Sequence, residues 1–385
     1  KFENVDFGKT AAKSIKVNYA KGAAGGSYEL RLDSISGTKI GDISPVATTG
    51  WTSYKEEPYA IDATTGFHDL YIVGTIGMGI ANFDYFQFSR EPIEVPDVGI
   101  GSCEAPSGFP TSNSWKFVAT SDSRGNDDGS IAYWPLVAIR NAIITEGNVE
   151  FVIYPGDLVN VGNNYNYNKF DEAFRNGLKE AGVEFYAVAG NHEYLYGSVV
   201  GDFQRYIDIN RTVDPGSDGR NFTFAHKNAV ITGFDWENKS LGLGGLQYVV
   251  NNNSPEHIFS FSHAPLWEGY HHALEFNDEV ERVAFMDYMI ANGGRAHFAG
   301  HEHFYLHSKV AQNDVDFHNF TVGTAGAPAY GKSKHGYHRA QEVMFNNSVV
   351  GYSLITIDGK YVQIEFKAQQ GDKFETIDFT SWCVD

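Results

Sequence analysis

The sequence predicts two domains of different class, an all-β domain followed by an α/β domain. Three observations predict this. Short alternating segments punctuated by glycine fill the first ninety residues, and from Trp115 onward apolar runs alternate with helical patterns. Between them, residues 91–113 show no periodicity and hold four of the 12 prolines, as a linker does. A length of 385 residues accords with two or three domains.

In the first part, SYELRLD (27–33), HDLYIVG (68–74) and NFDYFQF (82–88) are rich in β-branched and aromatic residues. Gly25-Gly26, Gly37, Gly41, Gly50 and Gly66 separate such segments, and no helical period lasts three turns. A β-sandwich is therefore expected.

The second part reads as strand WKFVATSD, helix 131–147, strand VEFVIYPGD, helix 168–182 and strand VEFYAVAGNHE. HIFSFSHAP, a helix over 279–294 and RAHFAGHEH follow. Continuous apolar runs suit strands covered on both faces, whose carboxyl ends are where α/β folds place their sites.

The 48 acidic and 29 basic side chains give a net charge of −19, which argues against nucleic-acid scanning because phosphate tracks need clustered Lys and Arg. No apolar run of about 18 residues exists to span a membrane, and no leader pattern follows Lys1, so any export signal would lie upstream. Thirteen of the 14 histidines fall after residue 98, which reads either as surface composition or as imidazole chemistry in the second domain. Cys103 and Cys383 bracket that domain. They read either as a disulfide clasping its ends or as two buried thiols; a disulfide would imply a secreted, periplasmic or cell-surface location.

The strand ends carry, in order, Asp122, Gly156-Asp157, Gly190-Asn191-His192-Glu193, Ser262-His263 and Gly300-His301-Glu302-His303. Two Asp, one Asn and three His from five loops make a hard-to-borderline metal set. Glycine before a ligand lets the backbone turn sharply off its strand. His301 and His303, read as extended, are expected to share one side. His271, His272, Tyr165 and Tyr167 lie in loops that could wall the same cleft.

The motifs GDLV, GNHE, SHAP and GHEH together resemble the calcineurin-like metallophosphoesterases, which include the purple acid phosphatases, over residues 115–370. The resemblance implies a four-layer α-β-β-α sandwich around two metal ions (Fe, Mn or Zn) and a phosphate-ester substrate. Carried over by position, Asp157 bridges the ions, Asn191, His263 and His301 complete one site, and Asp122 and His303 belong to the other. His192 matches the histidine that contacts phosphate and protonates the leaving oxygen. Glu193 and Glu302 are expected to orient ligand imidazoles.

Where many relatives read Asp-x-His, this chain reads Asp122-Ser123-Arg124, and Asn160 replaces a tyrosine ligand. Asn160 could bind only through its carbonyl oxygen, and Arg124 could grip a phosphate or pair with an acidic neighbour. Weaker metal binding on the Asp122 side is expected.

The first part resembles the family 6 carbohydrate-binding modules through GGSYELRLDSISGTKIGD, TTGW, GFHDLYIVG and ANFDYFQF. The resemblance implies a jelly roll in which Trp51 stacks on a sugar, Asn82 hydrogen-bonds it and Asp84 matches a structural Ca²⁺ position. Family members begin with further strands, so the module is expected to be incomplete at its start. The domains are thus a module over 1–90, a linker over 91–113 and a metallophosphoesterase domain over 114–385. The expected function is a secreted phosphoesterase acting on mono- or diesters near a glycan. A glycan-binding or adhesion protein with an inactive phosphoesterase domain, and an extracellular nucleotidase, are the alternatives.

Overall fold

The structure is a computed structural model. It describes every residue except 22–27, 44, 46–47, 49, 75–80, 91–102, 126–130, 196–201, 207–219, 237–240, 242, 268–269, 273–274, 277–278, 313–314, 333–339 and 385. The first ten positions after residue 90 in the expected linker, and its next two, thus lie outside the described residues. Two compact units are present, Lys1–Ser102 and Cys103–Asp385.

The first unit is all β. Its strands are β1 (Phe2–Asp6), β2 (Ala12–Ala20), β3 (Tyr28–Leu32), β4 (Lys39–Ile43), β5 (Lys55–Thr64), β6 (Phe67–Gly74) and β7 (Asn82–Ser89). They form two antiparallel sheets, ordered β1-β6-β3-β4 and β5-β2-β7. Alternate residues Ile15, Val17 and Tyr19 of β2 meet Leu30 and Leu70 of the other sheet in one core. This is the jelly-roll-like sandwich that the segment pattern anticipates.

The second unit has two larger sheets. One contains β8 (Trp115–Ala119), β9 (Val149–Tyr154), β10 (Glu184–Ala187), β18 (Gly351–Asp358), β19 (Tyr361–Gln370) and β20 (Lys373–Cys383), in the order β10-β9-β8-β18-β19-β20. The other contains β11 (Phe222–His226), β12 (Ala229–Phe234), β13 (His257–Ser262), β14 (Gly294–Ala299), β15 (Tyr305–Gln312), β16 (Val315–Val322) and β17 (Gln341–Asn346), ordered β11-β12-β13-β14-β16-β15-β17. The apolar runs are double-faced because each sheet is covered twice. Phe117, Phe151 and Ile153 point between the sheets, where they meet Phe259, Phe261 and Phe298. Val118, Val152 and Tyr154 point outward onto Leu136, Ile139 and Ile143 of α1 (Tyr133–Glu146). On the far face, Val230 and Ile258 pack in one cluster with Leu246 and Phe285, from helices over Leu243–Asn253 and Glu279–Ala291. The result is four layers, α-β-β-α.

The helix expected over 168–182 begins earlier. It runs as α2 (Asn164–Phe170), a π-helical turn (Asp171–Arg175) and α3 (Asn176–Glu180). Asn163 caps it by accepting the Asn166 amide at 2.9 Å, so the polar first turn NYNYN, poor in helix formers, is held by its cap. The helix expected over 279–294 stops at Ala291, where Asn292 and positive-φ Gly293 end it and Gly294 already starts β14. Cys103 and Cys383 form a disulfide across 280 positions, with Cα atoms 5.5 Å apart.

Candidate metal centre

Five strands deliver polar loops to one place. Parallel strands β8, β9 and β10 end at Ala119, Tyr154 and Ala187, and parallel strands β13 and β14 end at Ser262 and Ala299. Beyond these ends the backbone bends sharply. Asp122, Asp157 and His301 take left-handed φ of 63°, 51° and 68°, values that non-glycine residues rarely adopt. Strain of this kind persists only where the surroundings enforce it, and it concentrates at sites. Two glycines make the close approach possible. A Cβ on Gly190 would land on Asp157 Oδ1, and one on Gly300 would land on Asp122 Oδ2.

The turn at His301 corrects one sequence expectation. Residues 301–304 are a series of bends rather than an extended segment, because Gly300 and the positive φ of His301 turn the chain. The two imidazoles consequently reach different neighbours. His301 Nδ1 lies 3.1 Å from Asn191 Oδ1, whereas His303 Nε2 lies 3.6 Å from Asp122 Oδ1.

Asp122, Asp157, Asn191, His263, His301 and His303 are brought together. Ligand atoms of Asp122, Asp157 and His263 fall within 4.8 Å of one another, and all three residues are buried. Burial, and then the neighbouring Asp157, push the Asp122 carboxyl well above the usual carboxylate range. A cation between the two carboxylates would remove that penalty.

The imidazole tautomers show where a cation fits. His263 Nδ1 donates to the Pro155 carbonyl at 2.7 Å, which leaves Nε2 as a lone pair. Burial lowers the His263 pKa, so the ring is neutral. That lone pair faces Asn191 Oδ1 at 2.9 Å and Asp157 Oδ1 at 3.3 Å. Acceptors converging in this way fit a divalent ion on the Asn191 side.

The Asp122 side is built differently. His303 Nδ1 donates to Pro328 O at 2.7 Å, and burial, then Arg124, depress its pKa to about 2. Its Nε2 accepts from Arg124 Nε at 3.3 Å, and Arg124 Nη2 donates to the Tyr330 hydroxyl at 2.5 Å. Two edges of the guanidinium expected to grip a phosphate are thus engaged within the site. Asn160 contributes its backbone carbonyl to His192 Nδ1 at 2.8 Å.

Glu193 and Glu302 act otherwise than expected. Backbone carbonyls orient the imidazoles of His263 and His303, as described. Glu193 instead accepts the amides of Gly190, Asp157 and Val159 at 2.7, 2.9 and 3.3 Å. Glu302 accepts those of His271 and His272 at 2.9 and 2.8 Å, and its Oε1 lies 3.6 Å from His272 Nδ1. Each carboxylate fastens one loop against another.

Sequence reasoning missed two aromatic walls. Tyr330 stacks between His303 and His271, at 3.9 Å from each ring, and Trp236 lies 4.9 Å from His301. His272 covers His301 at 4.0 Å. A signal was present for both, since Trp236 follows the apolar run AVITGF and Tyr330 follows the glycine-broken FTVGTAG. Of the tyrosines expected as walls, Tyr167 is buried in the core, whereas Tyr165 is exposed.

Residues 116–305 match the family described as calcineurin-like phosphoesterase, and residues 1–90 match carbohydrate binding module, family 6. The second unit therefore contains a calcineurin-like phosphoesterase domain, and the first is a family 6 carbohydrate-binding module. The phosphoesterase domain implies divalent metal ions and a phosphate-ester substrate; the module supports carbohydrate binding.

The module is 38% identical over 89 residues to an arabinoxylan arabinofuranohydrolase of Bacillus subtilis (strain 168), covering 23% of this chain and 17% of that protein. It is 32% identical over 101 residues to endo-1,4-beta-xylanase A of Thermoclostridium stercorarium, covering 25% of this chain and 18% of that protein. The chain thus spans under a fifth of the length of these relatives. The solved structure of PhoD is similar over 98% of this chain and 89% of its own, with a TM-score of 0.50 and 12% identity, a likeness of fold.

In the module, Trp51 is 40% exposed, and Asn82 Nδ2 donates to its carbonyl at 2.8 Å. Asp84 Oδ2 accepts from Asn18 Nδ2 at 3.0 Å. Among the described residues, no helix is long and apolar enough to cross a membrane.

Proposed function

We propose that the protein hydrolyses a phosphate mono- or diester at the metal centre, and that its carbohydrate-binding module holds it on a xylan-type glycan. The observation that carries this reading is the convergence of His263 Nε2, Asn191 Oδ1 and Asp157 Oδ1, with His263 Nδ1 committed to the Pro155 carbonyl. A bound divalent ion (Fe, Mn or Zn) would acidify a water and neutralise phosphate charge. Asp157, Asn191, His263 and His301 would hold it.

The chain's own groups do the rest. The His192 amide donates to Asp157 Oδ1 at 3.0 Å, which fixes the loop beside the carboxylate. With Nδ1–H committed to Asn160 O, His192 presents Nε2, 3.9 Å from Asp157 Oδ2. In the imidazolium form Nε2 gives its proton to the leaving oxygen as the P–O bond breaks, while water supplies the new P–O bond. The paired walls Tyr330 and Trp236 exclude bulk solvent from the ligand imidazoles.

Trp51 and Asn82 supply the sugar surface, the indole covering an apolar pyranose face. The module's similarity to parts of xylan-active proteins supports a glycan of that class. The module and the disulfide support secretion or surface display. Turnover of p-nitrophenyl phosphate and bis-p-nitrophenyl phosphate by the Mn²⁺- or Zn²⁺-loaded protein, set against Asp157→Asn, tests the reading. Equal rates for the two proteins would sink it.

A further inference from the structure

The two halves of the centre differ in what meets the imidazole lone pair. On the Asn191 side, His263 Nε2 faces the oxygens of Asn191 and Asp157. On the Asp122 side, His303 Nε2 already accepts the Nε–H of Arg124 at 3.3 Å. A neutral imidazole has one lone pair, and that pair serves an N–H or a cation but not both.

Arg124 is held in this position. Its side chain is 13% exposed, and Nε also lies 3.9 Å from Asp157 Oδ2. Nη2 donates to the hydroxyl of Tyr330, whose ring is clamped between His303 and His271. The Tyr330 amide in turn donates to the His303 carbonyl at 3.1 Å. A guanidinium keeps its charge at any working pH, so a dication bound to His303 would sit against a permanent like charge in a buried place.

We propose that Arg124 takes the place of a second metal. The centre holds one divalent ion, on the Asp157, Asn191, His263 and His301 side, and the guanidinium is the resident cation beside Asp122 and His303. The inference rests on the phosphoesterase reading and sets the metal stoichiometry of that site. It also explains how both buried carboxylates are compensated without two ions.

The test is elemental analysis of protein saturated with Mn²⁺ and freed of unbound metal by gel filtration, with frozen-solution EPR on the same samples. Wild type is expected to carry one Mn²⁺ per chain with the signal of an isolated ion. Arg124→His, which frees His303 and adds a ligand, is expected to carry two with a spin-coupled signal. His303→Ala in the wild-type background covers a failure of Arg124→His to fold, and it is expected to keep one Mn²⁺ with affinity unchanged within about threefold. Two ions on wild type, one ion on folded Arg124→His, or a fall from two to one in His303→Ala would overturn the proposal. No bound Mn²⁺ on wild type would overturn the phosphoesterase reading with it, so the two failures are distinguishable.

Discussion

Glu193 fastens Asp157: its buried carboxylate accepts the Asp157 amide at 2.9 Å while also holding the Gly190 amide at 2.7 Å. The loop after β9 and the loop after β10 are thereby fixed to one another, and Asp157 keeps its positive φ. Glu193→Ala leaves three buried N–H groups without this acceptor. At about 1 kcal/mol or more for each, the loss of stability should reach about 3 kcal/mol, read by urea denaturation. Mn²⁺ affinity, read by calorimetry, should fall about 10- to 100-fold.

Gly190→Ala tests the close approach of the same loops. The new Cβ meets Asp157 Oδ1 and the Asp157 amide, both backed by buried structure. A displacement of about 1 Å should lower kcat/KM for p-nitrophenyl phosphate about 100-fold, with a near-native circular dichroism spectrum. Unchanged kinetics would show that the approach is looser than the geometry implies.

What the sequence made legible follows from where each signal lives. Strand ends at Asp122, Asp157, Asn191, His263 and His301 are readable because a double-faced apolar run must break where the chain leaves the two cores. The partners that tune those residues are not written nearby. Pro155 O and Pro328 O orient imidazoles 108 and 25 positions away, and a backbone carbonyl has no residue signature. For the same reason Glu193, adjacent to His192, reads as an imidazole acceptor, whereas two of its three amide donors, Asp157 and Val159, stand 36 and 34 positions away. Arg124 and Tyr330 stand 206 positions apart, so nothing local marks them as a pair. The short alternating segments announced the first sandwich, whereas the strands β15–β20 carry no motif that a residue-by-residue reading would single out.

The disulfide should matter to stability more than its two residues suggest. Cys103 and Cys383 close a loop of 280 positions, for which chain entropy allows about 5.6 kcal/mol. The double variant Cys103→Ser, Cys383→Ser should show a clearly lower Tm, and dithiothreitol should lower the wild-type Tm towards it. An unchanged Tm in both experiments would count against a closed disulfide in solution.

Two buried histidines give a signed pH dependence. Burial holds His297 near pKa 3, where it hydrogen-bonds Ser260 Oγ and Ser262 Oγ at 2.8 and 3.0 Å. Burial, then His307, holds His318 at about 3 as well. Below the ordinary value of 6.5 the unfolded chain takes up protons that the folded chain refuses. Stability is therefore full above about pH 6.5 and declines from there towards pH 3, by up to about 1.4 kcal/mol per pH unit for each ring. Urea midpoints from pH 7 to pH 4 should fall less steeply in His297→Gln than in wild type. Parallel slopes would contradict the assignment.

Trp51→Ala should abolish retention on insoluble xylan, measured by pull-down, because the exposed indole supplies the stacking face. Asn82→Ala, which also removes the bond to the Trp51 carbonyl, should weaken retention less. Full retention by Trp51→Ala would place the glycan surface elsewhere.

The central claim is that the convergent acceptors around Asn191 hold a metal that makes this a phosphoesterase. Its most direct measurement is a titration of Mn²⁺ into chelator-stripped protein, following bound metal and p-nitrophenyl phosphate turnover in the same samples. Turnover is expected to be absent at the start and to rise in proportion to occupancy until the site is full. A saturated site with no turnover of this ester or of bis-p-nitrophenyl phosphate would contradict the account.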